Sequence, residues 1–280
     1  MILPGSASQS LGAALAAELD EPLAAVEYDR FADGELLVRT TEPSSTDRAV
    51  IVASTVSGDA HVELLQLQDV ARQYAEEVVT VLPYMGYARQ DDAFREGEPV
   101  SARAVARALS PGTDRVVCVD PHEPSIEEFF DVPFEAVSAA DRLAAPLPDL
   151  ADPLFLAPDA SARGLAREVR DAYGTGTVDH FEKHRDRDTG EVSVAPSETA
   201  ARDREVVLVD DIVATGGTMS EAIVQLDGPA RVFVTCVHAM LAGSARTRLA
   251  RVGVDRVYGT DTLERAESAV SVAPTVADAL

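Results

Sequence analysis

Short apolar runs rich in β-branched residues recur along the chain, and stretches with helical periodicity separate them. AVIVAS (49–54), EVVTVLP (77–83), RVVCVD (115–120), LFLAPD (154–159), EVVLVD (205–210), RVFVTCV (231–237) and DRVYGTD (255–261) read as strands. VELLQLQDVARQYA (62–75) has helical spacing, and SARAVARAL (101–109) puts Ala102, Val105, Ala106 and Leu109 on one helical face. Continuous apolar strands alternating with helices predict an α/β fold with mostly parallel sheets covered on both faces. Ligands in such folds bind beyond the carboxyl ends of the strands, so the polar residues just after each run are the ones to inspect.

Domain organisation follows from two further features. APLPDLADP (145–153) reads as a proline-rich linker and divides the chain into residues 1–144 and 145–280, with the last residues expected to pack back on the first domain. The halves echo each other: AVIVASTVSGDA and EVVLVDDIVATGGT both run strand, polar turn, glycine, helix. The expectation is two domains related by duplication, each a sheet flanked by helices.

Charge changes the picture. The chain carries 48 acidic against 24 basic residues, a formal net charge of −24, with 46% hydrophobic residues. That apolar content is globular, so the acidity marks a solvated surface and not disorder. A surface of this kind repels itself unless salt screens it, which points to a salt-adapted cytoplasm. It excludes nonspecific nucleic-acid binding, which needs a basic face. No apolar run approaches a membrane span. MILPGSASQS lacks the basic start and apolar core of a signal segment, so a cytoplasmic location is expected. Cys118 and Cys236 sit inside apolar runs and read as core residues.

The stretch that carries the most chemistry is EVVLVDDIVATGGTMSEAI (205–223). A strand ends in Asp210 and Asp211, and the loop Ala214, Thr215, Gly216, Gly217, Thr218 opens a helix. Glycines let the backbone turn its N–H groups inward, and helix-start amides bind phosphate without a cationic side chain. Paired carboxylates beside such a nest suit a sugar phosphate, whose hydroxyls they accept. A capped strand-to-helix turn explains the glycines but not two adjacent acids. This stretch resembles the phosphoribosyl diphosphate-binding motif of type I phosphoribosyltransferases and their relatives.

Other segments narrow the resemblance. GYARQDDAFREGEPVSARAVARAL (86–109), FADGELLVR (31–39), VDPHEPSIEEFFDVP (119–133), APDASARGLA (157–166) and FEKHR (181–185) are similar, in family order, to segments of the ribose-phosphate diphosphokinases, with ATGGT and EKxR in an archaeal-like form. The resemblance implies two phosphoribosyltransferase-type domains that move the diphosphoryl group of ATP to ribose 5-phosphate. It implies ATP binding by Phe31, which would stack on adenine, by Asp33, Gly34 and Glu35, and by Arg89, Gln90 and Asp91. Phe31 would serve the active site of a neighbouring subunit, so a homodimer or larger homo-oligomer is implied. Magnesium (Mg2+) would be the cofactor, with His122 and Asp159 near the metal-bound triphosphate. Asp210, Asp211 and residues 214–218 would hold ribose 5-phosphate, together with Arg185. One departure stands out: Ala160-Ser161-Ala162 replaces glycines that follow this aspartate in the family. Two other readings compete. A plain phosphoribosyltransferase would need neither a second α/β domain nor the YARQD segment, and a non-catalytic regulatory subunit would have no need of the catalytic cation.

Lys183 is the only lysine in the chain. A residue that escapes so strong a bias is held by chemistry, and the resemblance implies that Lys183 and Arg185 are catalytic. Alternation puts both on one side of a strand. The polar RDRDTGEVSVAPSETAARD that follows reads as a mobile loop whose closure would exclude water.

Overall fold

Every apolar run read as a strand folds as one in the computed structural model, which describes residues 1–41, 44–185, 192–196 and 201–280. The chain divides into two compact units. One holds Met1–Ser138, Asp261–Glu264 and Ser271–Leu280; the other holds Ala139–Thr260 and Arg265–Val270.

In the first unit the chain runs β1 (Ile2–Pro4), α1 (Gln9–Leu19), the hairpin β2 (Val26–Arg30) and β3 (Leu36–Thr40), β4 (Thr46–Val52), α2 (Gly58–Tyr74), β5 (Ala75–Leu82), α3 (Ser101–Leu109), β6 (Arg115–Val119) and β7 (Phe134–Val137). Five of these strands form a parallel sheet in the order β1-β4-β5-β6-β7, while β2 and β3 pair separately. Ala49, Val50, Ile51 and Val52 are all buried, because helices cover both faces of the sheet.

The second unit repeats the plan: β8 (Leu154–Ala157), α4 (Arg163–Tyr173), the hairpin β9 (Thr177–Arg185) and β10 (Val192–Pro196), β11 (Glu205–Ile212), α5 (Gly217–Val224), β12 (Arg231–His238), α6 (Ala245–Arg251), β13 (Arg256–Thr260) and β14 (Ser268–Val270). Here β8-β11-β12-β13-β14 reproduces the first sheet strand for strand, and β9 and β10 extend its edge. The duplication therefore covers whole units and not one segment. It also pairs the chemistry: the FADGE turn joins β2 to β3, and FEKHR lies on β9, the equivalent hairpin.

Two sequence expectations need correction. The proline-rich stretch at 145–153 is not a linker, since it lies inside the second unit. Leu147 and Leu150 are buried, and the Tyr173 hydroxyl accepts from Leu150 N–H and donates to Pro148 O. Proline content there masks two core leucines. The segment after Arg185 is not all loop: Val192–Pro196 pairs antiparallel with β9, as its alternating valines favour. Residues 186–191 and 197–200 lie outside the described residues.

The chain's last residues belong to the first unit. Glu264 accepts hydrogen bonds from Ser10 N and Leu11 N, at the exposed start of α1, and α7 (Ala273–Ala277) packs on that helix. Among the described residues no helix is long and apolar enough to cross a membrane.

Candidate active site

The second unit builds its site at the carboxyl ends of β8, β9 and β11. Leu156 lies opposite Leu208, so the parallel register carries Asp159 level with the carboxylates that end β11. The Asp159 carboxylate accepts from Ser161 N at 3.0 Å and from Ser161 Oγ. None of residues 160–162 adopts a left-handed backbone, so the chain path there makes no demand for glycine.

Asp210 and Asp211 are partly exposed, and each accepts a hydrogen bond from the amide that follows it, at 3.1 and 2.8 Å. Burial pushes the Asp210 carboxyl far above its usual 3.8, to about 8, and the negative charges of Asp211 and Asp159 push the same way. Three carboxylates thus feel one another at two neighbouring strand ends. Such a group favours a bound cation, a proton or hydroxyl donors.

The loop Ala214–Thr218 follows. Val213 and Ala214 are tied to the end of β12 and the segment after it through Val213 N to His238 O, Leu241 N to Val213 O, and Ala242 N to Ala214 O. Gly216 has φ +70° and is the N-cap of α5, a conformation that a side chain strains. A β-carbon there would also meet Leu249 Cγ at 3.3 Å. Thr215 and Thr218 expose their side chains beside the free amides of the helix start. The arrangement suits an anion on the turn beside hydroxyl donors on the carboxylates.

Lys183 and Arg185 lie on β9, opposite Val194 and Val192 of β10. Their two-residue spacing puts them on one face of the strand. Their side chains lie outside the described residues.

In the first unit, Phe31, Asp33, Gly34 and Glu35 form the turn between β2 and β3. Gly34 takes φ +94°, Phe31 N donates to Glu35 O, and Asp33 Oδ1 accepts from Glu35 N. Phe31 is 53% exposed, an aromatic ring presented at a hairpin tip. Arg89, Gln90 and Asp91 follow β5. Gln90 holds the start of α3, with its carbonyl accepting from Ala102 N and its Oε1 from Ser101 Oγ, while Arg89 is exposed. His122 follows β6, directly after the left-handed Asp120 and Pro121. All these residues stand at carboxyl ends or in the hairpin. Among the described residues no three His, Cys, Asp or Glu side chains form a metal-binding cluster.

One neighbour of the loop was missed by sequence reasoning. A β-carbon at Gly217 would lie 3.3 Å from Nη1 of Arg248, on α6. The only signal was a run of arginines, ARTRLAR, in an acidic chain.

Two copies of one parallel-sheet plan, with strand-end carboxylates leading into a glycine turn at a helix start, are the architecture expected of the phosphoribosyltransferase class. The comparisons with known proteins agree and go further. The N-terminal domain of ribose phosphate pyrophosphokinase matches residues 1–111, and the phosphoribosyl transferase domain matches residues 138–257. The ribose-phosphate pyrophosphokinase of Halobacterium salinarum is 63% identical, over 100% of both chains. That of Methanopyrus kandleri is 44% identical, over 100% of this chain and 98% of the relative. The crystal structure of phosphoribosylpyrophosphate synthetase from Mycobacterium smegmatis matches with a TM-score of 0.83 at 29% identity, covering 100% of this chain and 96% of that one. The chain belongs to the ribose-phosphate pyrophosphokinase family.

Proposed function

We propose that the protein transfers the diphosphoryl group of ATP to the anomeric hydroxyl of ribose 5-phosphate, giving 5-phosphoribosyl 1-diphosphate and AMP for nucleotide biosynthesis. The observation that carries this reading is the first unit, whose match over residues 1–111 is to a ribose phosphate pyrophosphokinase domain. A plain phosphoribosyltransferase has no use for it. The retained Lys183 and Arg185 argue against a non-catalytic subunit.

In this reading the loop 214–218 takes the 5-phosphate on its amides, and Asp210 and Asp211 accept from the ribose hydroxyls. The anomeric hydroxyl then attacks the β-phosphorus, and AMP leaves. Lys183 donates to the oxygens on which charge accumulates, and Arg185 clamps two of them with its planar fork. Phe31 stacks on adenine, Asp33, Gly34 and Glu35 hold its polar edge, and Arg89, Gln90 and Asp91 orient the phosphates.

The donor set fits magnesium. That ion prefers one or two carboxylates together with substrate phosphates and water over a dedicated protein cage. The mutual repulsion of Asp159, Asp210 and Asp211 is what a divalent cation relieves. Asp159 would hold it directly and His122 through water. When bound it neutralises the triphosphate. The hairpin carrying Phe31 serves a neighbouring chain's site, so the working form is a homodimer or larger homo-oligomer, in the cytoplasm. Phosphorus NMR of the protein with ATP, magnesium and ribose 5-phosphate tests the reaction. AMP and a sugar diphosphate must appear together; ADP in place of AMP rejects it.

A further inference from the structure

The backbone conformation of Gly217 does not explain why glycine stands there. Unlike Gly216, it lies outside the left-handed region. Beyond its chain neighbours and its own helix backbone, a β-carbon at Gly217 would meet two heavy atoms of the described residues within 4 Å, Nη1 of Arg248 at 3.3 Å and Thr215 Oγ1 at 3.6 Å. The glycine keeps a narrow space open between the phosphate loop and a guanidinium.

Arg248 is exposed, and its helix brings it to that place. α6 packs on the loop through Leu249 against Gly216, and the segment leading into α6 is bonded to the loop through Ala242 N and Ala214 O, at 2.8 Å. The neighbouring arginine on the same helix is occupied: Arg246 makes a two-pronged ion pair with Glu267, at 2.6 and 2.8 Å. Arg248 makes no side-chain hydrogen bond or ion pair among the described residues, in a chain with twice as many acids as bases. It borders a groove of about 360 Å³ shared with Ser244, Thr247, Arg251 and Val252, all on or beside α6, so the guanidinium has open space around it.

We propose that Arg248 is a substrate-binding residue: it adds a guanidinium to the amides of loop 214–218, grips the 5-phosphate of the sugar, and sets the preference for a phosphorylated over an unphosphorylated ribose. This rests on the reading of 214–218 as the ribose 5-phosphate loop. Backbone amides alone supply partial charges, whereas a planar guanidinium supplies a full charge and two parallel donors.

The test is calorimetric binding of ribose 5-phosphate and of ribose to the full protein without ATP, so that it does not depend on turnover. Arg248→Gln should weaken ribose 5-phosphate binding by at least about tenfold, the usual scale for losing a charged hydrogen bond, and leave ribose binding unchanged. Arg248→Lys should recover part of the loss. In turnover assays the Michaelis constant for ribose 5-phosphate should rise while that for ATP stays within about twofold, given that Arg248 touches only the sugar phosphate. Gly217→Ala should cost less in the Arg248→Gln background than in the wild type, because the two sites share one space. If Arg248→Gln binds ribose 5-phosphate as the wild type does, the proposal is wrong. If the wild type binds ribose 5-phosphate through Arg248 but releases no AMP, the assigned reaction fails and the phosphate contact stands.

Discussion

Lys183 and Asp210 are the residues on which the chemistry is most exposed to test. Lys183 lies on β9, and the proposed reaction gives its ammonium a role in the transition state. Lys183→Ala should therefore lower kcat by about 100-fold or more, with a smaller change in ATP affinity, in steady-state assays. Near-normal turnover would mean that the single lysine survives for another reason. Asp210 gives a pH signature. Its carboxyl is raised to about 8 in the fold, from 3.8, first by burial and then by Asp211. Between those values the unfolded chain has ionised this group and the folded chain still holds the proton. The Asp210 contribution to stability is therefore present at low pH and is lost as pH rises through that window. Asp210→Asn should flatten this slope and raise the melting temperature of the ligand-free protein at neutral pH. The same exchange should raise the Michaelis constant for ribose 5-phosphate, because an amide accepts hydroxyl donors less well than a carboxylate. In the wild type that constant should climb as pH falls below about 8. A melting temperature that Asp210→Asn leaves unchanged at every pH would show that Asp210 ionises normally in the fold.

At the level of elements, the hairpin β2–β3 is held to α2 by an exposed Arg30–Asp59 ion pair and, at the backbone of β3, by Gln66. Gln66 accepts from Val38 N at 2.8 Å and donates to Leu36 O at 2.9 Å, which satisfies both backbone groups of β3 that face the helix. Gln66→Leu leaves them unpaired and should cost about 1–3 kcal/mol. Amide exchange across residues 26–40 should accelerate. If the hairpin carries the adenine contact, the Michaelis constant for ATP should rise and that for ribose 5-phosphate should not; equal effects on both would detach Phe31 from ATP. The same elements show what the sequence could reveal. α3 was legible from end to end, because Ala102, Ala106 and Leu109 are buried on one face. The strands with continuous apolar runs were legible because both sheet faces are covered. β1 was too short to show a pattern, and the alanines of α1 blur its periodicity. Only Val38 among the ten hairpin strand residues is buried, so its alternation is faint. The turn at 214–218 was legible as a candidate phosphate site because its glycines and the acids before it are local in the chain. Arg248 was not, since a helix after the next strand delivers it, and only tertiary packing brings it to Gly217.

For the whole molecule, composition and assembly pull in opposite directions. The net charge of −24 opposes the meeting of two identical chains. The proposed use of Phe31 by a neighbouring chain's site requires them to meet. Salt reconciles the two: at roughly molar ionic strength the Debye length falls to about 3 Å, and like charges across an interface no longer feel each other beyond contact distance. Lowering salt should therefore dissociate the oligomer and abolish activity together, followed by light scattering and AMP release on the same samples. Coincidence alone does not prove a shared site, because low salt also destabilises an acidic fold. Complementation separates the two effects. Phe31→Ala and Lys183→Ala each remove one part, the exposed ring of the hairpin or the cation of β9. The inactive variants are dissociated, mixed and returned to high salt. In a hybrid, an intact Phe31 from one chain can meet an intact Lys183 from the other, and a fraction of the activity returns. If each chain completes its own site, every site in the mixture lacks one part or the other. Subunit exchange demonstrated by mass labelling, with no activity regained, would then place Phe31 and Lys183 of the same chain in one site.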